Sequence, residues 1–317
     1  MRAATVEGKE FRIADIDRPS SGPNDLRIRV HTTAVNRADL LQRDGKYPPP
    51  PGASEIIGME CAGVVIEAGA NVRGWSKGDR VMALLAGGGY AEEVVVDAGS
   101  AMDVPSVLND EEAAAIPEVF LTAFSNIFLL ARAKRGESIL IHGGGSGVGT
   151  AATTLCKLNE MRVLVTAGSD EKCAQCIRHG ADVAINYRTE DFVEKAKGVD
   201  IVLDHIGAKY VVRDLEALGM DGRVVIIGSM GGERNATIDV SRLLAKRQQV
   251  IGSTLRARRV EEKAAIVAAF VDRFGSALND GRIKPVIDRV YELHDVEEAH
   301  RRMAGDHFGK VVLRVSR

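Results

Sequence analysis

The segment Ile139–Ala152, ILIHGGGSGVGTAA, constrains this chain more than any other: an apolar run meets five glycines in seven positions and passes into helix-forming sequence. Glycine permits a tight turn and lets the backbone approach a ligand without a β-carbon in the way. A helix that starts there offers unpaired N–H groups and the positive end of its dipole to an anion. Strand before and helix after make this a dinucleotide-binding turn rather than a bare glycine run. Gly144, Ser146, Gly147, Val148 and Gly149 are its candidate cofactor contacts, Ser146 standing where the second glycine of G-x-G-x-x-G would be.

The sequence around the turn fits that reading. Continuous apolar strands (ESILIHGG, RVLVTAG, VDIVLDHIG, RVVIIGSMGG) alternate with helical stretches such as GVGTAATTLCKLNE and EKCAQCIRHG. Such alternation predicts a parallel sheet covered on both faces, a doubly wound α/β domain. The first hundred or so residues differ. Leu26–Val30 alternates apolar and polar residues, and CAGVVIEAG, DRVMALL and GGGYAEEVVVD are short strand runs. They predict a compact, barrel-like β module. GKYPPPPGAS (Gly45–Ser54) must be a stiff loop, because proline removes backbone donors. From Asn109 helices follow, capped by Asn109 or Asp110 and broken at Pro117. The final strands, VIDRVYEL and KVVLRV, are expected to rejoin the first module. The expected division is 1–118 with 256–317, and 119–255 between them.

Composition sets outer limits. Of 317 residues, 45% are hydrophobic and 27% charged, with a formal net charge of -2. A near-neutral chain has no electrostatic case for nucleic acid. No apolar run approaches the roughly 18 residues of a membrane helix, and MRAATVEGKEFRIAD lacks the apolar core of a signal peptide. A cytoplasmic protein is the expectation. Cys173 and Cys176 have C-x-x-C spacing, but no second cysteine pair or histidine pair completes a tetrahedral metal set, so they read as reduced thiols on a helix.

The second parallel strand ends in VTAGSDEK, with uncharged Gly168 and Ser169 where NAD sites usually carry an acid. Asp170 and Glu171 fall in the next helix's first turn, while Lys172 and Tyr187 are placed to meet a 2′-phosphate. NADPH is therefore the expected cofactor; the plainer alternative makes Lys172 a solvated charge and Tyr187 a surface aromatic.

With these motifs in view, essentially the whole chain resembles the zinc-free quinone oxidoreductase branch of the medium-chain dehydrogenase/reductase superfamily, and within it the p53-inducible quinone oxidoreductase group. The resemblance rests on AVNRADLLQRDGKYPPPPGAS, GMECAGVVIEAG, AAAIPEVFLTAF, the glycine turn, DGRVVIIGSMGG, STLRARR, EEAHRRM and GKVVL. Gly143 and Gly145 depart from it, standing where alanine and another small or apolar residue are more usual. It implies a GroES-like β-barrel-type catalytic domain plus a Rossmann domain, and a homodimer, with the strand near Ile226 a candidate pairing edge. Zinc-dependent relatives place a cysteine and a histidine where this chain has Asn36 and Met59, so no metal is expected.

Without a metal the acceptor must already be electrophilic: a quinone, or alternatively an enoyl or 2-alkenal substrate. The resemblance puts Asn36 and Tyr47 at the substrate and nicotinamide end as the catalytic pair. It puts Thr122, Gly228, Ser229, Met230, Ser253, Leu255 and Arg256 around the nicotinamide riboside. Turn capping by Asn36, packing of Tyr47 on the prolines and a solvated Arg256 are the plainer readings. A non-catalytic NADPH-binding protein is a third functional class. Asp204 and His205 form a tempting acid–imidazole pair, but strand neighbours point to opposite faces.

Overall fold

Period-two patterning in the first hundred residues becomes antiparallel sheet. In the computed structural model, which describes residues 1–316, the strand Asp25–Val35 buries Leu26, Ile28 and Val30 and leaves Arg29 outside. Its first half pairs with Glu93–Asp97, and Glu60–Ala68 runs antiparallel along it. Its second half pairs with Lys310–Arg314, Val311 opposite Val35. The seven-stranded sheet thus runs Ile287–Glu292, Lys310–Arg314, Asp25–Val35, Glu60–Ala68, Arg80–Leu84, Ala101–Asp103, with Glu93–Asp97 off this path. Leu26, Ile28, Val65, Val81, Tyr90, Val311 and Leu313 share one core. The last strands of the sequence therefore extend, beyond Asp25–Val35, the sheet built by the N-terminal part of the chain.

Pro48–Pro51 lies outside helix and strand, following the helix Arg37–Arg43. Asn109 caps Asp110–Ala114 in a capping box with Glu112, and Pro117 opens the helix Pro117–Phe124, where its missing N–H costs nothing.

The chain forms two compact units, Met1–Leu121 with the segment from Leu255 onward, and Thr122–Thr254. The second unit carries six parallel strands in the order Val183–Asn186, Arg162–Ala167, Ser138–Ile141, Val199–Asp204, Leu218–Ile226, Gln249–Gly252. Strand order reverses between Ser138–Ile141 and Val199–Asp204, so the crevice at their carboxyl ends is the switch point where such sheets bind ligands. Leu140, Leu164, Ile185, Val202, Leu215 and Val224 form its core.

The expected pairing edge needs correction. Leu218–Ile226 is flanked on both sides, and the edge is the four-residue strand Gln249–Gly252. QVIG is too short, and too exposed, for patterning to mark it. Among the described residues, no helix is long and apolar enough to cross a membrane.

Candidate functional site

The glycine turn is built by close approach. Gly143, at φ +63°, adopts a conformation that L side chains rarely take. A β-carbon on Gly149 would stand 2.3 Å from the Gly143 carbonyl oxygen, and one on Gly144 would stand 2.6 Å from the Val165 Cβ. Ser146, at the position where a glycine was expected, caps the helix Gly147–Leu158: its Oγ accepts from the Gly149 N–H at 3.0 Å. The N–H groups of Gly145, Gly147 and Val148 find no hydrogen-bond partner among the described residues. Three donors at a helix start with no internal partner suit an anion, and a cofactor diphosphate fits this cradle.

Two residue clusters flank the turn. At the end of Arg162–Ala167, the Tyr187 hydroxyl oxygen lies 2.9 Å from where a Gly168 side chain would begin. Ser169 caps the next helix, its Oγ accepting from the Lys172 N–H, and its own proton remains available to donate. Asp170 Oδ1 accepts from Asn186 Nδ2 at 2.7 Å, which ties one oxygen of this acid to the neighbouring strand's last residue. Gly168, Ser169 and Tyr187 lie at one strand end, with the Lys172 backbone in the first turn of the helix that follows, and Tyr187 is exposed.

Past Val199–Asp204, Asp204 accepts from the Ile206 and Gly207 N–H groups, while the His205 ring turns the other way, onto Gly143. The acid–imidazole pair is thus split, as alternation along a strand requires. His142 is fully packed, its ring nitrogens meeting Asp214 at 2.8 Å and Thr166 at 3.1 Å. His142, Asp204 and Asp214 are the one cluster of potential metal ligands among the described residues. Burial holds His142 down at about 4 and raises Asp204 to about 6, in each case by disfavouring the charged form. Gly228, Ser229 and Met230 lie just beyond the strand that ends at Ile226; Met230 N–H donates to the His205 carbonyl. Ser253 N–H donates to the Ile226 carbonyl, and Thr122 is buried with its carbonyl accepting from Ser125 and Asn126.

The first unit holds a separate cluster of candidate residues. Asn36 is buried at the start of the helix Arg37–Arg43. Its Nδ2 donates to Glu60 Oε1 at 2.8 Å and to the Ala34 carbonyl at 3.3 Å, and its Oδ1 accepts from Lys310 Nζ at 2.5 Å. Both amide donors are spent inside the fold, which leaves one lone pair for any ligand. Lys310 also donates to Glu60 Oε1 at 2.7 Å and to the Val35 carbonyl, while Glu60 Oε2 accepts from the Glu118 N–H. A zinc site here does not fit these residues: the ammonium already supplies the cation facing Glu60, and neither Asn36 nor Met59 offers a thiolate or imidazole.

Tyr47 is half-buried, and Arg256 stacks over its ring with Cζ 5.3 Å from the centroid. Arg256 is 5% exposed, so the solvated-charge reading of this residue is wrong. Its guanidinium donates to Ala86 O at 2.8 Å, Tyr47 O at 3.3 Å and Gln42 Oε1 at 2.6 Å, bracing the proline loop from behind. Neighbouring Leu255 is buried and apolar. Burial raises the Tyr47 hydroxyl's pKa and Arg256 partly offsets this. All four cysteines are free; Cys176 is buried and its thiol is pushed up to about 12, so neither Cys173 nor Cys176 is primed as a thiolate.

Sequence reasoning missed Lys310, Gln42 and Asp39. A lysine opening an apolar strand, KVVL, was the available signal for the first.

Comparison with known proteins adds family relationships. Residues 22–106 match the model of the alcohol dehydrogenase GroES-like domain, and 179–313 match that of the zinc-binding dehydrogenases. Human quinone oxidoreductase is 32% identical over 296 residues, covering 90% of this chain and 87% of its own. A quinone oxidoreductase from Thermus thermophilus, solved also with NADPH, superposes with a TM-score of 0.83 at 31% identity, covering 99% of this chain and 100% of its own. An NAD-dependent alcohol dehydrogenase superposes with a TM-score of 0.85 at 31% identity over the full length of both chains.

Proposed function

Because the chain belongs to the medium-chain dehydrogenase/reductase superfamily, we propose that it is an NADPH-dependent, zinc-independent reductase acting on a quinone. The observation that carries this reading is the Lys310 ammonium clamped between Glu60 and Asn36. With that position taken, no Lewis acid polarises the acceptor, and an acceptor already activated by conjugation is what remains.

Bound NADPH would supply the hydride. The Gly145, Gly147 and Val148 N–H groups receive its diphosphate, with the dipole of the helix Gly147–Leu158 behind them. Ser169, Lys172 and Tyr187 receive the 2′-phosphate, and Asp170, held by Asn186, does not compete for a ribose hydroxyl. Thr122, Gly228, Ser229, Met230 and Ser253 border the nicotinamide riboside. Tyr47 stacks on or donates to the acceptor, and Arg256 fixes that ring and lends positive potential as negative charge develops on the acceptor oxygen. Asn36 contributes its remaining lone pair.

A substrate panel tests the assignment. NADPH oxidation by the purified protein should be rapid with ortho- and para-quinones and slow with 2-alkenals. Activity confined to enoyl thioesters would replace the quinone assignment, and NADPH binding without turnover of any acceptor would make the protein a non-catalytic binder. The exposed edge Gln249–Gly252 supports a homodimer paired through that strand, which light scattering of the eluted protein measures directly.

A further inference from the structure

His205 stands where two neighbouring parallel strands end. Gly143 follows Ser138–Ile141, His205 follows Val199–Asp204, and Leu203 pairs with Ile141 between them. This is the sheet's switch point. The imidazole presses on the turn itself: a β-carbon on Gly143 would stand 2.4 Å from His205 Cε1 and 2.8 Å from Nε2.

The polar side chains around it are committed elsewhere. His142 is bonded to Asp214 and Thr166, and Asp204 to two backbone N–H groups. The His205 ring, by contrast, makes no hydrogen bond among the described residues, and neither of its nitrogens is an enclosed orphan. The residue is half-buried, so its ring is packed on one side and open on the other. Its backbone is fixed as well, because the His205 carbonyl accepts from Met230 N–H at 3.0 Å and a Gly228 side chain would collide with it. An imidazole held rigidly against a phosphate-binding turn, with an open nitrogen and no partner, is arranged for a ligand.

We propose that His205 is a cofactor-binding residue whose ring N–H donates to the dinucleotide diphosphate as it crosses the glycine turn. This rests on the dinucleotide reading above. Either the neutral or the protonated imidazole carries a ring N–H, so the proposed bond needs no fixed charge on His205. A donor to a phosphate oxygen is a charge-assisted bond. Because the diphosphate is common to all adenine dinucleotides, the contact adds affinity without selecting NADPH over NADH.

The test is equilibrium binding of ADP, NADH and NADPH to the full-length wild type, His205→Phe, His205→Asn and His205→Gln. Phenylalanine keeps a ring against Gly143 and removes the donor. It should weaken all three ligands by the same factor, roughly tenfold, and at least one of the amide variants should recover most of the loss. A His205→Phe protein that binds ADP like wild type overturns the proposal, as does a loss confined to NADPH or an equal loss in all three variants. Wild-type protein that binds none of the ligands overturns the dinucleotide reading and this inference together; wild-type binding with an unaffected phenylalanine variant overturns the inference alone.

Discussion

Lys310 and Glu60 form an ion pair at 2.7 Å with essentially no exposed surface on either side chain. They come from strands 250 residues apart in sequence, both paired to Asp25–Val35, and the pair also fixes Asn36. Removing one partner of such a pair leaves an uncompensated buried charge. Lys310→Met should therefore destabilise the protein by about 3–5 kcal/mol in urea unfolding. Adding Glu60→Gln to that variant should recover a large part of the loss. A Lys310→Met protein as stable as wild type would show the pair to be dispensable.

The same ammonium makes a prediction about metals. Dialysis against a strong zinc chelator should leave turnover unchanged, and elemental analysis of active protein should find zinc well below one per chain. Loss of activity on chelation, restored by zinc, would contradict the reading of Asn36 and Met59.

Arg256 should matter through Tyr47. Arg256→Ala removes three hydrogen bonds and the ring stack that brace the loop. The expected result is a roughly tenfold rise in KM for the acceptor with NADPH affinity little changed. Arg256→Lys should rescue poorly, because an ammonium cannot reproduce the planar fork.

Asp39 gives a pH signature. Fully buried, it accepts from the Asn36 N–H at 2.7 Å, and burial raises its pKa to about 7. A carboxyl whose folded pKa lies above its unfolded value of 3.8 stabilises most below that unfolded value, and this contribution is lost as pH rises through about 7. Between pH 4 and 8 the Asp39→Asn protein should therefore gain thermal stability relative to wild type as pH increases, by a few kcal/mol at most. A pH-independent difference between their melting temperatures would show that Asp39 is ionised throughout.

Much of this was legible in the sequence, and the reason differs by element. Residues 139–152 carry their fold locally, because glycines, a cap and strand periodicity all act within a few residues. The strand Lys310–Arg314 was visible, but the Lys310 partners were not: Glu60 and Asn36 lie far off in sequence, and periodicity carries no register between distant strands. Arg256 sits in a run with Arg258 and Arg259, so local sequence leaves a solvated charge open beside a site role; only tertiary packing reveals the Ala86, Tyr47 and Gln42 acceptors. Asn36 was a candidate through the family resemblance, yet its donors had to be counted in three dimensions to show that they are spent.

Cofactor choice turns on a few side chains. Lys172→Ala should weaken NADPH by about tenfold or more while leaving NADH unchanged, since only the 2′-phosphate is lost as a partner. The effect should shrink at high salt, and equal losses for both cofactors would move Lys172 out of the phosphate pocket.

The most direct measurement is NADPH titration of wild type beside Gly149→Val, with folding of both checked by circular dichroism. A side chain at 149 cannot coexist with the Gly143 carbonyl 2.3 Å from its first carbon, so the turn must open. Saturable binding by wild type and none by the variant is the predicted result. A folded Gly149→Val protein that binds NADPH as tightly as wild type would contradict the claim that this turn holds the cofactor.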